Sequence, residues 1–321
     1  MTSPEGADAD PSPSGPPGPR GAAVNGSILE NGRQILALVR EQVEMGPRVP
    51  GTVSHDRLSG LLEERLRCQR AEVSVQEFNV PFRGDLLHCR NVVGVFRGSA
   101  AAAQPPLLLG THYDTRIRAD REQDAALRET PILGANDGGS GTAVLLHMLP
   151  WLARASIERD VAVAFFDAED LGNIDGKEFS LGAAWCADHP PPGFSPREMV
   201  ALDMVGGRDM VLDIDAHIMK QPGSLRLTRD VFHAGFSGGW DPFTRDKPDR
   251  IKYIISDHYP FARRGISSCI LIDIDYPQWH TLQDTPSAMS EESLGITEAA
   301  LSLFLSPAPG REGSSGGLAG P

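Results

Sequence analysis

Val161-Ala162-Val163-Ala164-Phe165-Phe166-Asp167-Ala168-Glu169-Asp170 is the stretch on which the reading of this chain turns. Its first half is apolar without a charge, bounded and short, and so reads as a strand buried on both faces. Its second half places three acids directly after that strand. A strand hidden on both sides needs a layer over each face, which points to an α/β architecture. Working outward, Ser140 to about Leu152 has helical spacing through Val144, Leu145 and Met148. Leu107-Leu108-Leu109, ending at Gly110, is a second fully apolar strand; Met199 to Leu202 and Ile270 to Ile272 repeat the pattern. Ile35, Leu36, Val39, Val43 and Met45 mark a helix that stops at Gly46-Pro47, and Leu58, Leu61, Leu62 and Leu66 mark another. Val73 to Phe78 alternates like a half-exposed strand, Asn91 to Phe96 reads as a strand, and Glu291 to Leu305 as a closing helix. The expected fold is one α/β domain over residues 28–305, with a largely parallel, mixed central sheet flanked by helices on both faces.

Bulk properties narrow the function. The net charge is −13 across 321 residues, and an acidic surface repels phosphate backbones, so nucleic acid is not expected as a partner. No apolar run approaches the roughly 20 residues needed to cross a bilayer, and no membrane association is expected. Residues 1–27 and 306–321 are rich in Pro, Gly, Ser and Ala and are expected to be disordered tails. The start has neither a basic stretch nor an apolar core of a signal, which makes the cytoplasm the expected location. Cys68, Cys89, Cys186 and Cys269 show no metal-binding spacing and are expected as reduced thiols.

The chemistry gathers at strand ends. His112 and Asp114 follow the strand at 107–109, and Glu169 and Asp170 follow 161–166. Asp203 follows 199–202, His280 comes soon after 270–272, and Asp137 lies in Gly134-Ala135-Asn136-Asp137-Gly138-Gly139 just before a helix. In parallel sheets, ligands bind outside the carboxyl ends of the strands. Imidazoles and carboxylates are donors zinc accepts. Acids crowded at one edge would repel and raise one another's pKa unless a cation relieved them. The imidazoles and carboxylates gathered at this edge are therefore candidates to hold a metal. A lone Asp after a strand is usually a cap; the signal is five such residues in order.

Six blocks carry a resemblance: T-H-Y-D-T at 111–115, G-A-N-D-G-G-S-G at 134–141, F-F-D-A-E-D at 165–170, L-D-M-V-G at 202–206, S-D-H-Y-P-F at 256–261 and W-H-T at 279–281. Together they resemble the M28 zinc peptidases, from about Arg48 to Leu305. The resemblance implies that His112 and Asp203 hold one metal, Asp170 and His280 a second, and that Asp137 bridges them. It implies Glu169 as general acid/base and Asp114 as the acid that orients His112 from behind. Asp170 stands where many relatives have Glu.

Within that family the chain leans towards the glutaminyl cyclases, which convert N-terminal glutamine to pyroglutamate, usually with one zinc. Trp279 precedes His280 where cyclases have a pocket-lining Trp. Phe261-Ala262-Arg263-Arg264-Gly265 resembles F-L-R-R-G, Asp167-Ala168-Glu169-Asp170 resembles D-G-E-E, and Arg48-Val49-Pro50-Gly51-Thr52 is similar to the cyclase P-G-S segment. The stretch from Asp170 to Leu181-Gly182 has about the cyclase length. Asn136 to Gly141 looks instead like the aminopeptidase form, and a cyclase aromatic is missing at Gly172-Asn173-Ile174.

The cyclase resemblance implies one zinc ion, peptide or protein N-termini as substrates, and a proton and substrate network of Glu169, Asp203 and Asp257, with Trp279 walling the glutamine side chain. That acyl transfer needs Glu169 to titrate above a free Glu. The aminopeptidase alternative implies two zinc ions and a hydrolase in which Glu169 activates water. A metal-free M28-like binding module would be expected to show broken ligand positions, and none is broken here. The Gly-rich turn lacks the spacing of a nucleotide loop, and Ser140 lacks a G-x-S-x-G setting. His147, His55, His88, His189, His217 and His233 are expected to be structural, and His258, at an apparent helix start after Asp257, is open to a structural or a catalytic role. Asp213 and Asp215, and Asp273 and Asp275, read as wet strand faces. The polar loop Arg116 to Glu129 is a candidate cover for the pocket.

Overall fold

The computed structural model describes residues 25–99 and 104–306. The tail expectations lie outside these residues, except that the chain is already helical at Gly26, behind Asn25, whose side chain accepts from the Ile28 amide.

Two faces of one strand explain the layers. Strands β1 (Glu72–Phe82), β2 (Asp85–Phe96), β3 (Leu107–His112), β4 (Val161–Phe166), β5 (Glu198–Asp203) and β8 (Ser267–Ile272) form one six-stranded sheet in the order β1-β2-β4-β3-β5-β8. A two-residue pair, β6 (Ile214–Asp215) with β7 (Ile251–Lys252), lies apart from it. β3, β4, β5 and β8 run parallel to their neighbours, while the β1–β2 hairpin joins β4 antiparallel. Side chains alternate across a strand, so Val161, Val163 and Phe165 enter one core and Ala162, Ala164 and Phe166 the other. Burying each Phe contributes about 2–3 kcal/mol.

The first core packs under helices α1 (Gly26–Glu44), α2 (Val53–Cys68), α3 (Gly139–Leu152), α5 (Pro222–Ser237) and α8 (Glu291–Leu305). The second packs under α4 (Leu181–Asp188) and α7 (His258–Arg263). A one-turn helix, α6 (Asp241–Thr244), sits beside α5. At Gly32 of α1 a side chain would strike the Glu291 carbonyl, so the absent Cβ lets α1 lie directly on the start of α8. No described helix is long and apolar enough to cross a membrane.

The topology also places the site. From β3 the chain leaves through α3 on one face, and from neighbouring β4 it leaves towards α4 on the other. Such a switch opens a crevice beyond the carboxyl ends of the two strands. β3 runs on through His112 rather than stopping at Gly110, because Thr111 and His112 stay in register with Phe165 and Phe166. All four cysteines are free, and Cys89, Cys186 and Cys269 are buried.

The wet-face reading of the paired acids needs correction. Asp213 and Asp215 are fully buried and Asp273 nearly so; Asp275 is exposed. Lys247 reaches Asp213 at 2.8 Å and Asp275 at 2.9 Å, and Lys252 pairs with the same two acids. His258 meets Asp215 at 2.9 Å. Alternation showed which acids share a face, but the cations covering that face come from residues 247–258.

Candidate metal centre

Each candidate ligand stands where the backbone turns sharply out of a strand or into a helix. His112 and Asp203 are the last residues of β3 and β5. Asp137 precedes Gly138, whose φ of 79° starts α3; a Cβ at Gly138 would meet the Asp114 carbonyl at 2.5 Å. Ala168 before Glu169, Met204 after Asp203, and His280 itself have φ of 56°, 47° and 56°. Left-handed backbone at a residue other than Gly costs on the order of 1–3 kcal/mol and persists where the surroundings enforce it.

Buried carboxylates do that enforcing. Asp114 accepts from the amides of Glu169 and Asp170, both at 3.1 Å. Asp284 does the same for Asn136 at 2.9 Å and Asp137 at 3.1 Å, and receives the Tyr276 hydroxyl at 2.9 Å. Asp167 takes the Arg90 amide at 2.7 Å, faces His55 at 2.8 Å and accepts from Tyr113 at 3.1 Å. Arg48, fully buried, donates to the carbonyls of Tyr113, Leu133 and Gly134. Asp114 lies 3.5 Å from His112 Nδ1, which lacks a well-formed hydrogen bond; its firmer contacts are those that shape the 169–170 turn.

The five expected ligands converge as two triads sharing one residue: His112, Asp137 and Asp203, and Asp137, Asp170 and His280. Asp137 Oδ1 lies 3.2 Å from His112 Nε2, and its Oδ2 lies 3.5 Å from His280 Nε2. Asp203 Oδ1 is 3.4 Å from His112 Nε2, and Asp170 Oδ1 is 3.2 Å from His280 Nε2. Zinc with bonds of about 2.0–2.1 Å at tetrahedral angles sets its donors about 3.3 Å apart. Asp137 Oδ2 and Asp170 Oδ2 are also buried without a hydrogen-bond donor, a costly state that a cation resolves. The donor set therefore fits zinc.

Loop 116–129 supports the His280 side of this centre. Asp120 meets His280 Nδ1 at 3.2 Å. Arg116 donates to Asp120 at 3.1 Å, to the Asp170 carboxylate at 3.2 Å and to the Asp170 carbonyl at 3.0 Å. Arg121 lays its guanidinium 4.3 Å from the Trp279 ring centre, and its amide donates to the His280 carbonyl. Sequence reading missed Asp120, Arg116 and Asp284; an R-x-R-x-D string in a polar loop carries no mark of its partner. Removing the carboxylate behind a ligating imidazole typically costs 10–100-fold in metal affinity. Asp120→Asn is accordingly expected to weaken zinc binding by about that factor, read by competition against a fluorescent chelator.

Two further acids, Glu169 and Asp257, lie close to the triads. Glu169 accepts the buried Ser180 hydroxyl at 3.1 Å. Burial pushes Glu169 well above the ordinary Glu range; the charges of Asp257, Asp170 and Asp203 push the same way, against the pull of His112. Burial likewise raises Asp257, whose two oxygens have no hydrogen-bond partner. Asp203 Oδ2 receives the Ser256 hydroxyl at 2.9 Å. Above them is a cavity of about 280 Å³ with Asp137, Glu169, Asp203 and His280 in its floor and Trp279, Ile272, Ile274, Ile255 and Tyr253 in its walls. Asp257 is buried beside the cavity rather than lining it, and no residue of 116–129 lines it. The loop buttresses the centre from behind instead of covering it.

A mixed α/β sheet with two triads able to hold a metal, sharing one carboxylate at its switch point, is the arrangement of a metal-dependent enzyme. The chain belongs to peptidase family M28, whose match spans residues 91–305. A leucine aminopeptidase precursor from Bacteroides thetaiotaomicron superposes with a TM-score of 0.77 at 28% identity, over 85% of this chain and 96% of that one. A glutaminyl cyclase from the same organism, bound to N-acetylhistamine, superposes with a TM-score of 0.76 at 28% identity over the same shares. Glutaminyl-peptide cyclotransferase of Boiga dendrophila is 21% identical over 63% of this chain, and the matched region spans 62% of that protein's length.

Proposed function

We propose that this chain is a zinc-dependent glutaminyl-peptide cyclotransferase acting on peptide or protein N-termini. The observation that carries the reading is the small cavity over the metal triads, walled by Trp279 against His280, with Glu169, an acid of raised pKa, at its base and Asp257 buried beside it. It has the apolar walls and acidic floor suited to one glutaminyl residue with its α-amine. Asp137 together with Asp170 and His280, or with His112 and Asp203, would hold the metal, and bound zinc would supply Lewis-acid polarisation of the side-chain amide carbonyl.

The chain's own residues handle protons. Glu169, held by Ser180, takes a proton from the α-amine as its nitrogen bonds to Cδ, the carbonyl carbon of the side-chain amide. It returns that proton to the departing amide nitrogen, which leaves as ammonia. An acid cycling between these roles works best with a pKa brought up towards the working pH, which burial and the neighbouring acids achieve at Glu169. Asp203, which lines the cavity, would face the substrate amine, with Asp257 buried beside it as part of the proton network. Trp279, pinned by Arg121, fixes the side chain and keeps water from competing for the carbonyl.

A second reading has its own support. Both metal triads are complete and similar in spacing, as a two-metal aminopeptidase requires. There Glu169 would take a proton from water, and the acids would bind the α-amine. Mass spectrometry on zinc-loaded protein separates the readings, using one peptide beginning with Gln and one with Leu. Ammonia loss from the Gln peptide is the expected result. Release of the first residue, above all from the Leu peptide, would replace the cyclase reading with the hydrolytic one.

A further inference from the structure

A second cavity, of about 700 Å³, adjoins the one over the metal triads, and Asn173, Phe179 and Ile255 line both. Phe179 is the partition between them. It packs where Gly172 leaves no room for a Cβ, and the Arg116 guanidinium lies 5.9 Å from its ring centre. The floor of the larger cavity is apolar, with Ile255, Tyr259, Pro260 and Ala184, and its rim carries Lys177, Arg263 and Arg264 against the single acid Glu178. Arg264 is engaged by Asp188 at 2.6 Å. Lys177 and Arg263 have no ion pair among the described residues, and Arg263 is exposed. On a chain with net charge −13, a groove rimmed by free cations runs against the average surface.

We infer that this groove receives the substrate chain downstream of its N-terminal residue, and that it selects acidic side chains there. The inference rests on the reading that peptide N-termini enter the smaller cavity, and holds for cyclisation and hydrolysis alike. The terminal residue occupies the closed end above Glu169 and His280, so the rest of the peptide has to leave across a wall. The saddle at Phe179 and Ile255 leads into a trough with an apolar bed for backbone and β-carbons. Ile255 is 51% exposed at that saddle, as expected of a contact surface rather than a core position. Carboxylates in the next few residues of an extended peptide would then meet Lys177 and Arg263. Long-range attraction cannot supply this preference, because the field of an acidic protein repels an acidic peptide.

The test compares Gln-initiated peptides of equal length with Glu or Lys at the third and fourth positions, on wild type, K177A/R263A and K177E/R263E. Two exposed ion pairs predict a KM about 3- to 10-fold lower for the acidic peptide on wild type. The neutral variant should lose the preference and the reversed variant invert it, while melting temperature and zinc content report that both are folded. A wild type without preference, or a preference that survives charge reversal, overturns the inference and leaves the cyclase reading standing. If no peptide is turned over, that reading fails, and fluorescence anisotropy with the labelled acidic peptide decides the groove. Binding lost in K177E/R263E upholds it, and absence of binding overturns it.

Discussion

Glu169→Gln is expected to keep the fold and the zinc content and to lower turnover by about 10²–10⁴-fold, the usual contribution of a positioned general acid/base. The expectation follows from where Glu169 stands. It belongs to neither metal triad, so a loss of activity through loss of metal is not available as an explanation. Gln keeps the shape and an oxygen that accepts from Ser180 at the position now 3.1 Å away. What the substitution removes is only the capacity to take and return a proton. It also removes a group that burial and three nearby acids hold above its ordinary pKa, so the folded state no longer bears the cost of burying an ionisable acid and should be no less stable. Steady-state kinetics, zinc analysis and a thermal melt on one preparation check all three points. Activity within tenfold of wild type would remove Glu169 from the proton transfers and shift that role to Asp257.

The parts of this centre that were legible in sequence share one property. A fully apolar strand ending in an acid or imidazole marks both the strand and the position of the side chain at its end, as at Phe166-Asp167-Ala168-Glu169-Asp170 and Leu202-Asp203. The strand order, and the pairing of the ligands through the two oxygens of Asp137, needed the structure or a resemblance. The support was not legible. Asp284 meets Asn136 and Asp137 across 148 and 147 positions of chain, and His55 meets Asp167 across 112. No local pattern announces a partner at that distance. Helix α5 was overlooked because only Leu227 and Val231 of its buried positions are large apolar residues, the others being Ser224, Thr228 and Gly235, while Phe236 on the same helix is 53% exposed. α4 is eight residues of mostly small apolar character with no marked polar face. The error at Asp213 and Asp215 has the same origin. Alternation was read as one dry and one wet face, whereas lysines and a histidine from residues 247–258 make the second face dry.

The gap in melting temperature between zinc-loaded and metal-free protein is expected to widen as pH rises from about 5.5 to 8.5. In the metal-free protein, burial disfavours charge on His280, but Asp170, Asp120 and Asp137 outweigh it and push its pKa up to about 9. Asp284 is pushed up to about 7 by burial and by Asp137, against the amides of Asn136 and Asp137. Glu169 and Asp257 are raised as well. The sign is the same for all four. The folded protein retains protons that the unfolded chain gives up, so stability is highest at low pH and is lost as pH climbs through the folded pKa values. His280 contributes on the order of 3 kcal/mol of that loss between its unfolded and folded pKa values. Asp120 works the other way, since His280 and Arg116 hold it well below the ordinary Asp range despite burial. Its contribution is complete once pH clears the unfolded Asp value of about 4, and so is flat across this window. Zinc demands the deprotonated ligands and binds more tightly as pH rises, so its stabilisation grows where the metal-free protein weakens. A widening of roughly 5–10 °C is expected for a domain of this size, measured by scanning fluorimetry with zinc or chelator at three pH values. Asp137→Asn supplies the control. It removes the charge shared by both triads, so it should abolish the zinc-dependent gap at every pH. A gap independent of pH, or one that survives Asp137→Asn, would place the metal somewhere other than between His112 and His280.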